Sequence, residues 1–335
     1  MNVSMWGKAL KIIPRVSREE WDTLDVVSRW LIITRAAVFV MTATSCAVGG
    51  LLAIRDARFH FLYFLACLLG LVFAHATNNL LNDLIDHKKG MDRDNYYRAQ
   101  YGPHPLEHGL LTPAAHAGYI AVSGIVALAC GAYLVSETGG ATLALLCAGA
   151  FFVIFYTWPL KYMGLGEPSV LLVWGPLMTG GTYWVVTSGH MGWAVFFTSL
   201  AYAVGPTTVL FGKHTDKLGQ DTEKGVRTLP VILGERRARL STIGLWIFQH
   251  VLVILLVWSG ALGWPLLVVL GALPKLVWAI RVYAKPRPDE PPEGIPEGVW
   301  PLFLSAVAFV YCRLFGILFL AGLLVDVVLK RLGAY

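Results

Sequence analysis

Charged residues are scarce in this chain of 335 residues, where Lys, Arg, Asp and Glu together make up only 14% of the sequence. Soluble domains carry about 25% of these residues, so the shortage argues against a water-soluble fold. Apolar residues reach 56%, and the mean hydropathy is +0.61. They recur in runs of about 18 residues or more, the length at which a helix spans a bilayer. The composition therefore predicts an integral membrane protein.

Cysteine is also sparse, and the five cysteines lie inside apolar runs without the spacing of a metal site. We expect packing residues and no disulfide framework. The N-terminal residues contain no apolar core followed by a small-residue cleavage site, so we expect no signal peptide. No basic and aromatic pattern typical of nucleic-acid binding is present, and we expect no nucleic-acid partner. The net charge of +6 is attributed to loops on one membrane face.

The apolar runs predict nine transmembrane helices within a domain over 30–335, preceded by an N-terminal cytoplasmic or interfacial segment, 1–29. With the N-terminus in the cytoplasm, 20 of the 27 Lys and Arg residues fall in cytoplasmic segments, in agreement with the positive-inside rule. We therefore expect a multi-pass protein of the cytoplasmic membrane with the lipid bilayer as its surroundings. The predicted spans are 30–54, 59–83, 113–135, 140–158, 166–187, 192–213, 241–260, 263–284 and 299–328.

The charged end of the second predicted span reads NDLIDHKKGMD from Asn82 to Asp92. In a helix Asn82, Asp83 and Asp86 are three and four residues apart, so they can converge on one face. Acidic residues at the ends of membrane helices cost free energy and usually have a function. Oxygen ligands without cysteine or clustered histidine suit a hard cation such as Mg2+. The stretch predicts a Mg2+ site for a phosphate-bearing, apolar ligand; the alternative is a solvated helix cap.

A second acidic cluster lies in the loop 214–240, after the sixth predicted span. The second and sixth helices both end on the cytoplasmic side in the predicted topology. Their acidic ends can therefore face each other across the bundle and bridge a diphosphate through Mg2+. An ordinary mixed-charge loop is the alternative for the second cluster alone.

Four segments share a pattern and an order that are found together in one family: NDLIDHKKGMD, YGPHPLEHGLLT, the stretch from Phe155 to Gly189, and DKLGQDTEKGVRTLPVILGE. They resemble the UbiA superfamily of intramembrane prenyltransferases, and most closely its 1,4-dihydroxy-2-naphthoate prenyltransferase branch. The resemblance implies an all-α fold of nine transmembrane helices bundled around a central cavity. It also implies Mg2+-dependent transfer of a prenyl group from a prenyl diphosphate to an aromatic, quinone-precursor-like acceptor. Two alternatives are a terpene cyclase that uses no acceptor and a non-catalytic lipid-binding membrane protein.

The resemblance also implies which side chains form the site, at the cytoplasmic face. Catalytic roles are expected for Asp86, Asp221 and Lys161. Contacts with the diphosphate are expected from Arg35, Lys161, Lys213, Arg227 and Tyr156. Metal ligands are expected at Asn82, Asp83, Asp86, Asp92, Asp216 and Asp221.

Arg35 lies inside the first predicted span, where an arginine needs a counter-charge. The diphosphate or Asp86 is expected to supply it, and snorkelling to the membrane surface is the alternative.

Three departures from the family pattern leave the acceptor open. Lys213 stands where relatives carry an uncharged amide, and the arginine of Gly-Pro-x-Arg is missing from the matching segment Gly102-Pro103-His104-Pro105. Asp216 and Asp221 are five residues apart, whereas the family uses four. Five residues place two side chains about 140° apart on an α-helix. We therefore predict that the sixth helix becomes irregular between these two acids.

Overall fold

The computed structural model of the protein describes residues 2–94, 97–296 and 299–334. Regular structure in these ranges is entirely helical. Nine helices among the described residues are long and apolar enough to cross a membrane, so the predicted number of spans is confirmed. In chain order they are Ala36–Arg55, Phe61–Lys88, Pro113–Thr138, Gly140–Met163, Gly166–Val186, Trp193–Asp216, Glu235–Trp258, Trp264–Tyr283 and Phe303–Arg331.

Six short helices in the described parts of the chain lie outside the spans. Three precede the first span and have side-chain caps, because Asn2, Ser17 and Asp25 accept hydrogen bonds from backbone N–H groups of their first turns. The other three belong to the two long loops that follow the second and sixth spans. We call the end of the bundle that carries these loops the loop face. The short helices are Val3–Ala9, Arg18–Thr23, Val26–Ile33, Tyr97–Tyr101, Leu218–Glu223 and Leu229–Leu233.

The first predicted span differs from the observed one because the chain breaks at Arg35. Arg35 has a left-handed backbone conformation, with φ 58° and ψ 49°, and separates the helix Val26–Ile33 from the span that follows. Left-handed geometry is costly for a residue with a Cβ, so other contacts must hold it. The sequence pattern, which counts only apolar residues, runs through this break.

Two other spans contain wide helical turns near their prolines. The fourth span ends in the π-helical segment Tyr156–Leu160, and the fifth contains another over Val173–Gly180. Proline removes a backbone donor and disturbs the regular hydrogen-bond ladder. Segments of this kind are frequent at functional sites, and both lie beside the cavity described below.

The sixth span is the most enclosed element and packs closely against the ninth. A Cβ atom at Gly212 would lie 2.8 Å from the backbone nitrogen of Ser305, and one at Gly205 would lie 2.7 Å from the sulfur of Cys312. Small residues at such contacts let membrane helices approach each other closely. The third and fourth spans, in contrast, are mostly exposed, as helices that face lipid are.

The close approach at Gly212 predicts a stability effect. Gly212→Ala is expected to destabilise the protein by about 1–3 kcal/mol, because the added methyl group overlaps backbone atoms of the ninth span. Thermal unfolding in detergent measures the shift. Gly244→Ala is the matched control, since a Cβ there meets nothing within 4 Å and alanine favours the helix by up to about 1 kcal/mol. Equal melting temperatures for the two variants would contradict the packing described here.

Candidate active site

A cavity of about 1000 Å³ lies inside the bundle. Its deep part is lined by apolar and small residues of the second to fifth spans, including Gly70, Gly124 and Gly149. Its polar part lies at the loop face. Among the described residues, eight Lys or Arg side chains and only two carboxylates, those of Asp86 and Asp92, line the cavity. The cavity therefore joins an apolar chamber to a strongly basic end.

Asp86 lies at the junction of these two parts and is held by three side chains. Lys161 Nζ donates to both of its carboxylate oxygens, at 2.9 and 2.6 Å. The hydroxyl of Tyr162 donates at 3.1 Å, and Asn82 Nδ2 donates at 3.1 Å. Lys161 and Asp86 are both buried, which is tolerable because each neutralises the other. The structure thus brings together Asn82, Asp86 and Lys161, whereas the sequence predicted that Asn82, Asp83 and Asp86 converge.

Asp83 is instead directed at two arginines. Arg98 donates through Nε at 3.2 Å and through a terminal nitrogen at 3.1 Å, and Arg35 Nη1 lies 3.3 Å from the carboxylate. Asp83 is 1% exposed and does not line the cavity. The prediction of a metal ligand at Asp83 therefore needs correction, because both of its oxygens are engaged by guanidinium groups. Asp83, and not Asp86, is the protein counter-charge of the buried Arg35.

Asp92 does reach the cavity. Its Oδ2 lies 2.8 Å from His104 Nε2, while Oδ1 is buried and has no hydrogen-bond partner among the described residues. An unsatisfied buried carboxylate oxygen is costly and calls for a partner. His104, in the segment that lacks the family's arginine, thus orients Asp92.

The donor set on the cavity wall fits a hard cation. The described residues contain no group of three or more His, Cys, Asp or Glu side chains placed to hold a metal. Basic side chains hold the carboxylates of Asp83 and Asp86 in this arrangement. Asn82, Asp86 and Asp92 nevertheless line one cavity with oxygen donors only, and Asp92 has an oxygen to spare. Carboxylate and amide oxygens are the ligands that suit Mg2+.

The sixth helix breaks where the sequence predicted. The span ends at Asp216, Lys217 has φ −104° and ψ 14°, and a separate helix, Leu218–Glu223, follows. The break does not bring the two acids together. Asp216 accepts hydrogen bonds from the backbone N–H groups of Leu304 and Ser305 at 2.9 Å and from Arg287. Asp216 caps the ninth span, so its prediction as a metal ligand is corrected.

Asp221 is fully buried and does not line the cavity. Its Oδ1 lies 3.0 Å from the ammonium nitrogen of Lys217, four residues earlier. Lys217 does line the cavity. On this side of the site, the side chain that the second acidic motif presents is therefore a lysine.

The remaining predicted residues divide into two groups. Lys213 and Tyr156 line the cavity, as does Arg35. Arg227 is exposed and lies outside the cavity wall, because the chain turns at Gly225 (φ 69°) and buries Val226 instead. The expected contact of Arg227 with a diphosphate is corrected accordingly.

Sequence reasoning missed several side chains of the site. Arg98 lies in a charged loop without a periodic pattern of apolar residues, so the sequence did not predict its contact with Asp83. Glu167 and His214 are buried and lie 2.6 Å apart, Oε1 to Nδ1. The contact of Lys217 with Asp221 could have been predicted, because Lys217 precedes Asp221 by four residues, the spacing at which side chains meet on a helix.

Positive charge converges on Tyr101, outside the spans. Burial raises the pKa of Tyr101, but Lys213, Arg98 and Arg35 outweigh it and lower the pKa to about 8. The ammonium of Lys213 lies 5.7 Å from the centre of the ring. The pKa of Tyr101 thus records the positive potential of the basic end.

With the geometry established, comparison with known proteins decides the family. The sequence profile of the UbiA prenyltransferase family matches residues 42–307. The chain belongs to this family. It is 27% identical over 245 residues to the 1,4-dihydroxy-2-naphthoate octaprenyltransferase of Haemophilus influenzae, covering 69% of this chain and 77% of that one. It is 26% identical to the UbiA prenyltransferase domain-containing protein 1 of Dictyostelium discoideum, covering 66% and 68%.

Solved structures of UbiA proteins share the fold. The structure of digeranylgeranylglyceryl phosphate synthase aligns with a TM-score of 0.58 and 18% identity, over 89% of this chain and 98% of that one. A UbiA homolog from Archaeoglobus fulgidus bound to GPP and Mg2+ aligns with a TM-score of 0.55 and 14% identity, over 87% and 99%. The predicted UbiA fold is confirmed, and the protein is a membrane prenyltransferase.

The basic end predicts an unusual tyrosine titration. One tyrosine is expected to ionise near pH 8, about two pH units below the ordinary value, and the transition should disappear in Tyr101→Phe. In Lys213→Gln the pKa of Tyr101 should rise, because one cation fewer then offsets the effect of burial. Ultraviolet difference spectra of tyrosinate measure both effects. If the spectra of Tyr101→Phe and the unaltered protein coincide between pH 7 and 9, the electrostatic picture is wrong.

Proposed function

We propose that this UbiA enzyme transfers a prenyl group from a prenyl diphosphate to an aromatic acceptor within the membrane, with Mg2+ as cofactor. The observation that carries the proposal is the joining of an apolar chamber to a basic end with three oxygen ligands. The chamber matches a prenyl chain, and the basic end matches its diphosphate. The Archaeoglobus fulgidus homolog with GPP and Mg2+ supports the choice of donor and metal.

Mg2+ would be held by Asn82, Asp86 and Asp92. When bound, it supplies positive charge to the departing diphosphate. Lys161 orients Asp86 through its two hydrogen bonds, and His104 orients Asp92. Arg35 and Lys213, on the cavity wall, add positive charge around the diphosphate. Tyr156 lies in the same wall and is proposed as a further contact.

The reaction breaks the bond between the allylic carbon and the diphosphate oxygen, and the electron pair leaves with the diphosphate. An electron-rich ring carbon of the acceptor then attacks the allylic cation, and the ring loses a proton to regain aromaticity. The apolar chamber keeps water from the cation. The Haemophilus influenzae relative makes 1,4-dihydroxy-2-naphthoate the first acceptor to test.

We infer from the positive-inside rule that the loop face, and with it the basic end, lies in the cytoplasm. A water-soluble diphosphate substrate would then reach the site from the aqueous side that supplies it. On the same reasoning residues 2–29 form a cytoplasmic cover, since Lys8, Lys11 and Ile13 line the cavity from this segment.

Asp86→Asn is expected to lower turnover by at least about 100-fold, because it removes a charged oxygen ligand and the partner of Lys161. The assay uses labelled prenyl diphosphates with a panel of phenols and naphthoates, with and without Mg2+. Asp94→Asn is the control, since Asp94 is exposed in the loop that follows the second span, and melting temperatures verify folding. Near-normal turnover of Asp86→Asn rejects this site. Prenyl products formed without any acceptor identify a cyclase instead.

The chamber predicts which residues limit the prenyl chain. Gly124 lines the cavity, and a Cβ there meets nothing closer than 3.8 Å, so Gly124→Leu adds bulk to the chamber wall from a position that accepts a Cβ. Turnover of the longest accepted donor is expected to fall about tenfold relative to the shortest. Gly118→Leu, in the same span but exposed outside the cavity, is the control. An unchanged length preference in Gly124→Leu would place the chain elsewhere.

A further inference from the structure

The two sides of the basic end are built differently. On the second-span side, Asn82, Asp86 and Asp92 present oxygen atoms to the cavity. On the sixth-span side, the side chains of Lys213 and Lys217 line the cavity instead. The acids of that side are withdrawn, because Asp216 caps the ninth span and Asp221 is buried beside Lys217.

Lys217 is well placed to act as a fixed cation. It is 7% exposed, and its ammonium lies 3.0 Å from the carboxylate of the fully buried Asp221. The ion pair holds the lysine in position at the break after the sixth span, while the side chain remains part of the cavity wall.

Lys213, one helical turn earlier, adds a second cation that has less negative charge beside it. No carboxylate among the described residues lies within 4.0 Å of its ammonium, which lies 5.7 Å from the centre of the Tyr101 ring. A partly buried ammonium without an anion is costly. An anion bound in the cavity would remove that cost, so Lys213 itself points to an anionic ligand.

We propose that Lys213 and Lys217 bind the donor diphosphate directly and take the place of a metal ion on the sixth-span side. Mg2+ is then needed only at Asn82, Asp86 and Asp92. The inference rests on the proposed function, since it names how that donor is held. A divalent ion on the sixth-span side would need several oxygen ligands, and the cavity wall there offers ammonium groups.

This arrangement has a measurable consequence: the diphosphate should bind without any divalent metal. The probe is geranyl S-thiolodiphosphate, whose carbon–sulfur bond resists ionisation, titrated into the full-length protein in nanodiscs. Affinity is measured by calorimetry in Mg2+ and in EDTA. The unaltered protein is expected to bind in EDTA within about tenfold of its affinity in Mg2+, a difference of about 1.4 kcal/mol.

Charge-removing variants test the two lysines. Lys217→Gln and Lys213→Gln are each expected to weaken binding in EDTA by about tenfold or more, the loss of one charge-assisted hydrogen bond. Lys217→Arg keeps the charge and should retain binding, which separates charge from folding. Lys224→Gln is the matched control, because Lys224 lies outside the cavity and donates to the backbone of Arg93. Equal binding in EDTA by Lys217→Gln and Lys224→Gln would overturn the role of Lys217.

A third substitution converts the site. Lys217→Asp places a carboxylate on the cavity wall in place of the ammonium, so a metal ion can bind there with the diphosphate oxygens as its other ligands. Binding in EDTA should be lost, and the number of Mn2+ ions bound with the probe, counted by electron paramagnetic resonance, should rise by one. An unchanged count overturns the inference. If the unaltered protein binds in Mg2+ but not in EDTA, the inference fails and the proposed function stands. Absence of binding in both conditions rejects the proposed function as well.

Discussion

The site depends on how the chain keeps carboxylates charged at the end of a membrane helix. Each acid of this stretch, in the second span or just after it, has a dedicated partner: Asp83 has two arginines, Asp86 has Lys161, and Asp92 has His104. A buried carboxylate without such a partner would take up a proton or destabilise the fold. The partners come from the break before the first span, the first long loop and the end of the fourth span, so this one requirement assembles the loop face.

The irregular backbone follows from the same requirement. Arg35 adopts a left-handed conformation at the break before the first span, and its guanidinium reaches both Asp83 and the carbonyl oxygen of Asn79. The fourth span ends in a π-helical segment and a short turn that carry Lys161 to Asp86. Strained or wide turns persist where surrounding contacts hold them. Here the contacts that hold them are the ion pairs of the site.

The sequence was sufficient to predict the nine spans, because long apolar runs mark membrane helices. It was also sufficient to place Asn82, Asp86 and Lys161 in the site. The sequence did not predict the positions of side chains that are set by tertiary contacts. Asp216 has the carboxylate of a metal ligand, yet that carboxylate accepts a hydrogen bond at the N-terminus of the ninth span, 88 residues away along the chain. Arg227 follows a turn that directs it outward. The five-residue spacing of the two acids did predict the break in the sixth helix, since a regular helix cannot present both on one face.

The central claim is that one cavity holds the donor, with its diphosphate between the oxygen ligands of the second span and the lysines of the sixth. Cryo-electron microscopy of the protein with geranyl S-thiolodiphosphate and Mg2+ tests it most directly. The account predicts diphosphate density between Asp86 and Asp92 on one side and Lys213 and Lys217 on the other, with the prenyl chain towards Gly124. Density for the diphosphate outside the basic end, or a chain running away from the chamber, would contradict it.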